Sequence, residues 1–380
     1  MKIINKLREI KKRFSRYSPL IEVLISKENL LHNFREFKNK YPKLEFAPVL
    51  KSNAYGHGLK ETAEILSNEK KPFLAVDSLF EARALRNAGV SDRILIIGYF
   101  RPKEINYRLK KISYLVTSFE QLELLNKKIR RNTNIHLKID TGMHRQGIDY
   151  SEAGKAIKII KDNKKINLEG VCSHFADAEN KNSEFTLKQI KKWNSIVDKF
   201  KKKFGFIKYF HLSATPGMRY SDKISANMVR LGIGLYGFKQ GLGDDFNLKP
   251  VLSIKTIITS IRNFNAGDHI GYGITFQADK NMKTATIPFG YFEGFDRRLS
   301  NKGFVKVKNT FCPILGRISM NITSFDVSDI PDVAVGDEVI VISDDPQDKN
   351  SVAKIANICN SIPYVILTNI PSHLKRIISK

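Results

Sequence analysis

Cysteine is scarce in this chain: 380 residues hold three, Cys172, Cys312 and Cys359, and none forms a CxxC pair. That spacing excludes a disulfide framework and a cysteine-based zinc site, gives no metal centre to expect, and suits a reducing cytosol. Long apolar runs are also missing, and nothing approaches the roughly 18 residues a membrane span needs. Acidic residues are few, 38 against 64 lysines and arginines, for a formal net charge of +26. A clustered basic face would release counterions from nucleic-acid phosphates. Here the lysines recur along the whole chain instead, as at Lys127-Lys128, Lys164-Lys165 and Lys201-Lys202-Lys203. This distribution reads as solvated faces, and no nucleic-acid partner is expected.

Residues 1–17 stand apart, with seven basic residues and the single acid Glu9. Ile3, Ile4, Leu7, Ile10 and Phe14 recur at helical spacing, which would suit a surface helix on an anionic membrane. A solvated basic extension or a partner contact is the plainer expectation, and the stretch lacks the apolar core and cleavage site of a signal peptide.

The remainder has an ordinary globular composition, 42% hydrophobic and 27% charged. Its length suits one large domain plus a smaller one. Apolar or β-branched runs predict strands at Phe46–Lys51, Phe73–Val76, Arg93–Ile97, Ser113–Thr117, Asn134–Asp140, Leu168–His174, Lys208–Ser213 and Val229–Tyr236. Amphipathic stretches separate them, among them Ser78–Ala88, Ser118–Lys128, Ser151–Ile160 and Glu184–Lys203. Strands alternating with helices predict a parallel sheet, and eight such units over this length predict a TIM-type (β/α)8 barrel over residues 18–250. Past Pro250 strands follow one another at Val251–Arg262, Thr284–Pro288, Phe304–Lys308 and Asp337–Ser343, with one helix at Ser351–Cys359. That predicts a mainly-β domain over 251–380.

Barrels carry their chemistry at the C-terminal ends of their strands. The first strand ends on Lys51, and an amine desolvated there would have a lowered pKa and could form a Schiff base. A lysine snorkelling from the barrel mouth would look the same from sequence. The eighth strand carries Arg230-Leu231-Gly232-Ile233, where glycine lets the Gly232 and Ile233 amides approach a phosphate closely.

The segment Val49-Leu50-Lys51-Ser52-Asn53-Ala54-Tyr55-Gly56-His57-Gly58 resembles the cofactor-attachment motif of alanine racemases, which depend on pyridoxal phosphate (PLP). The resemblance runs from about Ile21 onward. It implies that Lys51 binds PLP and that Tyr55 touches its phosphate. His136 to Gly147 resembles the family's fifth-strand motif, placing Arg145 beside the substrate carboxylate. Ser173-His174-Phe175-Ala176 resembles its His-Phe-Ala motif, in which the histidine, His174 here, hydrogen-bonds the catalytic tyrosine. After strand seven the family usually shows Asn-Ser where this chain has Ala214-Thr215, so the phosphate-binding hydroxyl is kept as Thr215 and the amide is lost. Arg230 is implied to face the pyridine nitrogen, with His211 behind it.

In the second domain, Ile270-Gly271-Tyr272-Gly273-Ile274-Thr275-Phe276 resembles the segment with the second catalytic base, Tyr272 here. Gly316-Arg317-Ile318-Ser319-Met320-Asn321 resembles the motif placing Met320 at the substrate, with Asn321 for a common aspartate. Ser372 stands where some members have a tyrosine near the phosphate. Lys138 is carbamylated in parts of the family, and an ordinary lysine is the alternative. The resemblance implies a cytoplasmic homodimer with shared active sites that inverts alanine by two bases, Lys51 and Tyr272. A serine, lysine or broad-range racemase of the same fold and a non-catalytic PLP carrier remain open.

Overall fold

The computed structural model describes residues 18–105, 107–243 and 245–380. The basic extension at 1–17 lies outside the described residues.

Eight parallel strands form the barrel: Glu45–Pro48, Leu74–Val76, Ile94–Ile96, Ile112–Val116, Thr133–Asp140, Ile166–Cys172, Tyr209–His211 and Met228–Leu231. The second to seventh pair in sequence order. The first pairs with the eighth, Phe46 opposite Val229. Closure is completed by Leu50 N donating to Ala75 O at 2.7 Å and Arg230 N to Ser213 O at 3.1 Å. Runs such as Ile112–Val116 and Leu74–Val76 are buried along their whole length, as expected where helices cover a barrel wall.

Serines start the outer helices Leu79–Asn87, Phe119–Lys128 and Glu184–Phe204. Ser78, Ser118 and Ser183 each accept a backbone N–H three residues on, worth about 1 kcal/mol per helix. The last helix turns Ile190, Trp193, Ile196, Val197 and Phe200 inward. Its Lys201, Lys202 and Lys203 are exposed in the final turn.

The helical layer is less regular than eight equal units predict. Among the described residues only a 3-10 turn, Pro102–Glu104, follows the third strand, and a 3-10 run, Thr215–Lys223, follows the seventh. The helix Lys27–Lys40 covers the turn after strand eight, where Asn33 Nδ2 donates to Leu235 O at 3.1 Å and Lys249 O at 2.7 Å.

The second domain is built on a nine-stranded sheet in the order Ser260–Phe264, Met282–Ile287, Thr323–Asp326, Thr310–Leu315, Phe304–Val307, Glu338–Ile342, Leu252–Ile257, Glu22–Ser26, Arg376–Ser379. The predicted strand Val251–Arg262 is two strands, broken at Ile258-Thr259. A second helix, Pro363–Thr368, follows Val352–Ile358 and opens with a proline at its first turn. Glu22–Ser26, read from its place in the sequence as part of the barrel, lies in this sheet, antiparallel to Leu252–Ile257 and parallel to Arg376–Ser379.

Candidate active site

Lys51 opens a turn of unusual hand. Ser52, Asn53, Ala54 and Tyr55 have φ of 56°, 54°, 54° and 53°, four successive residues in the left-handed region. Each non-glycine residue there costs about 1–2 kcal/mol, so the turn exists only because its surroundings hold it. Asn53 Oδ1 accepts from Leu59 N at 2.9 Å, and Glu81 Oε1 accepts from Asn53 N at 3.2 Å. His57 Nδ1 lies 3.0 Å from the carbonyls of both Ala54 and Tyr55. From the second domain, Arg376 Nη2 donates to Gly56 O at 2.9 Å and to Ile370 O at 3.1 Å. Gly56, at φ 84°, abuts the Leu367 carbonyl, and a β-carbon would run into it. At Ala54, the strain relieved by glycine offsets the buried methyl lost. Ala54→Gly is therefore expected to leave unfolding stability within about 1 kcal/mol of wild type, where a helix interior would lose about that much. Urea denaturation measures the difference, and a loss well beyond it would contradict the strain.

The barrel mouth holds a cavity of about 340 Å³ lined by Lys51, Lys138, Arg145, His174 and Arg230, with Asp77 and Cys172. Four of these side chains are cations at neutral pH unless burial or neighbours prevent it. Burial, then Arg230, Lys138, Arg145 and Lys51, hold the His174 imidazole well below its usual pKa. Burial, reinforced by Arg230 and Arg145, likewise lowers the Lys138 ammonium. Such a cavity favours anionic groups.

Arg230 is buried, and both of its terminal nitrogens are engaged. It donates to the carbonyls of His211 at 3.0 Å, Ser173 at 2.8 Å and Leu212 at 3.0 Å. It also reaches His211 Nδ1 at 2.5 Å and His174 Nδ1 at 3.0 Å. Because arginine only donates, the neutral His174 keeps its hydrogen on Nε2.

Beside this cavity Tyr55, Thr215, Gly232 and Ile233 come together. A β-carbon on Gly232 would lie 2.9 Å from Tyr55 Oη, so glycine there admits the phenol. The 3-10 turn Ile233–Tyr236 starts from Gly232, which has no side chain to cap it, so the Gly232 and Ile233 amides can face a ligand. Thr215 Oγ1 accepts from Gly234 N at 3.1 Å, and its hydroxyl hydrogen is left to donate. Tyr364 packs its ring 5.9 Å from that of Tyr55 and lines a second cavity of about 350 Å³ with His174 and Ala214. Burial pushes the Tyr364 phenol up to about 12. The sequence reading did not single out Tyr364 or Arg376; the short segments that carry them, near the end of the β domain, give no periodic signal.

Residues 25–240 match the family model for the alanine racemase N-terminal domain, and residues 251–378 match the model for its C-terminal domain. The chain belongs to the alanine racemase family. It is 34% identical over 364 residues to an alanine racemase of Carboxydothermus hydrogenoformans, covering 93% of this chain and 98% of that protein. It is 33% identical over 358 residues to one from Methanococcus maripaludis, covering 92% of this chain and 95% of the relative. Among solved structures, the alanine racemase of Clostridium difficile 630 superposes with a TM-score of 0.88 at 30% identity, covering 96% of this chain and 97% of that one. The chain is thus a racemase of the barrel-plus-β-domain type.

Two predicted site residues of this family member lie apart from its own barrel cavity. Tyr272 is 70% exposed and Met320 is 55% exposed. They belong to adjoining loops, since Phe292 N donates to Met320 O at 2.9 Å and a β-carbon on Gly273 would lie 2.9 Å from Arg317 Nη1. With Ile274, Tyr291, Phe292 and Ile322 also exposed, the β domain presents an apolar face. Asn321 donates to Glu293 Oε1 at 2.6 Å. An aspartate would set two carboxylates against each other, so the amide matches its neighbour. Ser372 is exposed in a groove with Asn53 and Arg376, away from the cavity that holds Lys51.

Proposed function

We propose that the chain interconverts L- and D-alanine with PLP seated at the barrel mouth. The observation that carries this is the convergence of Lys51, Arg145, His174 and Arg230 on one cationic cavity beside the Tyr55–Gly232 cradle. The residues suit PLP: Lys51 for its aldehyde carbon, Arg230 for its ring nitrogen, and Tyr55, Thr215 and the amides of Gly232 and Ile233 for its phosphate. When bound, the cofactor supplies an electron sink that acidifies the substrate's α-proton.

The chain's own groups do the rest. Lys51 Nζ takes or returns the proton on one face of the α-carbon. Tyr272 of a second copy of the chain serves the opposite face. Two opposed bases are needed because one cannot cross the plane of the reacting centre. Arg145 pairs with the substrate carboxylate through its planar fork. His174 Nε2–H donates to the tyrosine phenol, which eases loss of the phenol's proton. Arg230 cannot surrender its proton, so it denies one to the ring nitrogen and limits charge storage there, which protects against transamination. Burial, by lowering the Lys138 pKa, raises the share of neutral amine that can add CO2 with loss of a proton. The resulting carbamate would pair with Arg145.

The apolar face around Tyr272 and Met320 supports a homodimer in which each β domain caps the other chain's barrel. The three free, buried cysteines fit a cytoplasmic setting. No helix among the described residues is long and apolar enough to cross a membrane.

Chiral chromatography of L-alanine, L-serine and L-lysine, each incubated with protein and PLP, tests the reading. Alanine should approach equal amounts of both enantiomers fastest. Faster inversion of serine or lysine would reassign the substrate. Cofactor binding without inversion of any would mark a PLP carrier. Gly232→Ala, by crowding Tyr55 Oη, should weaken PLP retention about tenfold, consistent with loss of one charge-assisted hydrogen bond. Equilibrium dialysis against PLP measures it.

A further inference from the structure

Behind Arg230 the hydrogen bonds continue through the barrel. We propose that His136 and Glu169 are positioning residues for Arg230: with His211, His136 forms a buried, one-way line of hydrogen bonds whose far end faces the Glu169 carboxylate toward the opposite mouth of the barrel. This rests on the reading of Arg230 as the partner of the cofactor ring.

The direction of the line follows from the donors. Arg230 Nη1 lies 2.5 Å from His211 Nδ1, and a guanidinium has no lone pair to offer. His211 Nδ1 therefore accepts, and the ring's hydrogen sits on Nε2. That nitrogen lies 2.7 Å from His136 Nδ1, which must accept in turn. The hydrogen of His136 is thus on Nε2, a buried atom with no hydrogen-bond partner within normal reach. The group it faces is the Glu169 carboxylate, with Oε2 at 3.6 Å. Glu169 is held by Ser113 Oγ at 2.6 Å and by Arg93. Arg93 immediately precedes the third barrel strand, so the line runs from the strand C-termini to the strand N-termini. Both imidazoles are fully buried.

The chain makes room for this line. A β-carbon at Gly170 would strike the His136 ring, and the fifth and sixth strands shift register between Ile135 and His136, beside that glycine. The line also answers a need. Arg230 is a buried cation whose hydrogen-bond acceptors are carbonyls and imidazoles, with no carboxylate among them. If His211 carried its hydrogen on Nδ1, a donor would confront a donor and Arg230 would be displaced. The negative charge of Glu169, acting through two polarised rings, favours the tautomer that accepts from Arg230.

Nuclear magnetic resonance of full-length protein with isotope-labelled histidine nitrogens, with and without PLP, tests the proposal. In wild type, His136 and His211 should both be neutral with hydrogen on Nε2 from pH about 5 to about 9. Hydrogen on Nδ1 of either ring, or an imidazolium, overturns it. Glu169→Gln removes the charge and keeps the shape, and should release both rings into tautomer mixtures. It should also raise about tenfold the share of turnovers ending in transamination, in which the amino group stays on the cofactor and the keto acid leaves. A purely structural glutamate would alter the melting temperature and move neither signal. Unmoved tautomers, or moved tautomers with an unmoved share, overturn the proposal. Should that variant not fold, Ser113→Ala removes one donor to the carboxylate and should shift the same ring signals in the same direction. A protein that binds no PLP would fail the transamination arm and leave the tautomer arm intact, so the two readings fail separately.

Discussion

Lys51→Ala is expected to lower alanine racemisation by at least about 10³-fold, near the upper range for loss of a positioned acid–base group and compounded by loss of the cofactor's covalent partner. The variant should also lose the visible absorption band that PLP acquires on binding the wild-type protein. Lys51 is the residue from which the left-handed turn departs, and its amine lies in the cavity with Arg145, His174 and Arg230. Alanine there leaves the turn's hydrogen bonds through Asn53, His57 and Arg376 in place. Circular dichroism should therefore be unchanged. An unaltered absorption band in the variant would remove Lys51 from the assignment.

Mixing inactive Lys51→Ala chains with inactive Tyr272→Ala chains is expected to restore about a quarter of wild-type activity. Tyr272 is 70% exposed on its own chain, outside the cavity that holds Lys51. If two chains build each site, a mixed dimer has one site with both defects and one with neither. Random exchange makes about half of all dimers mixed, so about a quarter of all sites are whole. If Tyr272 served the Lys51 of its own chain, every site in the mixture would carry a defect and no activity would return. Native mass spectrometry shows whether the chains have exchanged. Exchange without recovery would refute the shared site.

The barrel was legible because most wall strands are short apolar runs bounded by turn residues, and the outer helices Leu79–Asn87, Phe119–Lys128 and Glu184–Phe204 show a buried stripe behind a serine cap. The cavity at the barrel mouth was legible because Lys51, Arg145, His174 and Arg230 lie at or just after strand ends, which converge whatever the loops between them do. Elsewhere the local signal was too short or too ambiguous. Pro363–Thr368 has six residues, less than two helical turns. Glu22–Ser26 has the alternating burial of a sheet strand, but its partners lie more than 200 positions onward. The left-handed turn is built on Ser, Asn, Ala and Tyr, of which only asparagine favours that backbone. Its cause lies in distant residues such as Arg376. His136 was within reach: it shares a strand face with Lys138 at the two-residue period, which points both into the barrel.

The strand Glu22–Ser26 has a consequence for how the molecule is made. It is wedged between Leu252–Ile257 and Arg376–Ser379, and Ser26 Oγ donates to the carbonyl of Lys380, 354 positions away. During synthesis this segment leaves the ribosome early and finds no partner until the far end of the chain follows. The barrel strands have most of their partners nearby and can pair first. The second sheet closes last, around a segment that has waited longest, and contacts this remote in sequence slow folding. A barrel fragment expressed alone would carry Glu22–Ser26 as an unpaired apolar edge and should aggregate. Supplying residues 251–380 as a separate chain should rescue its solubility.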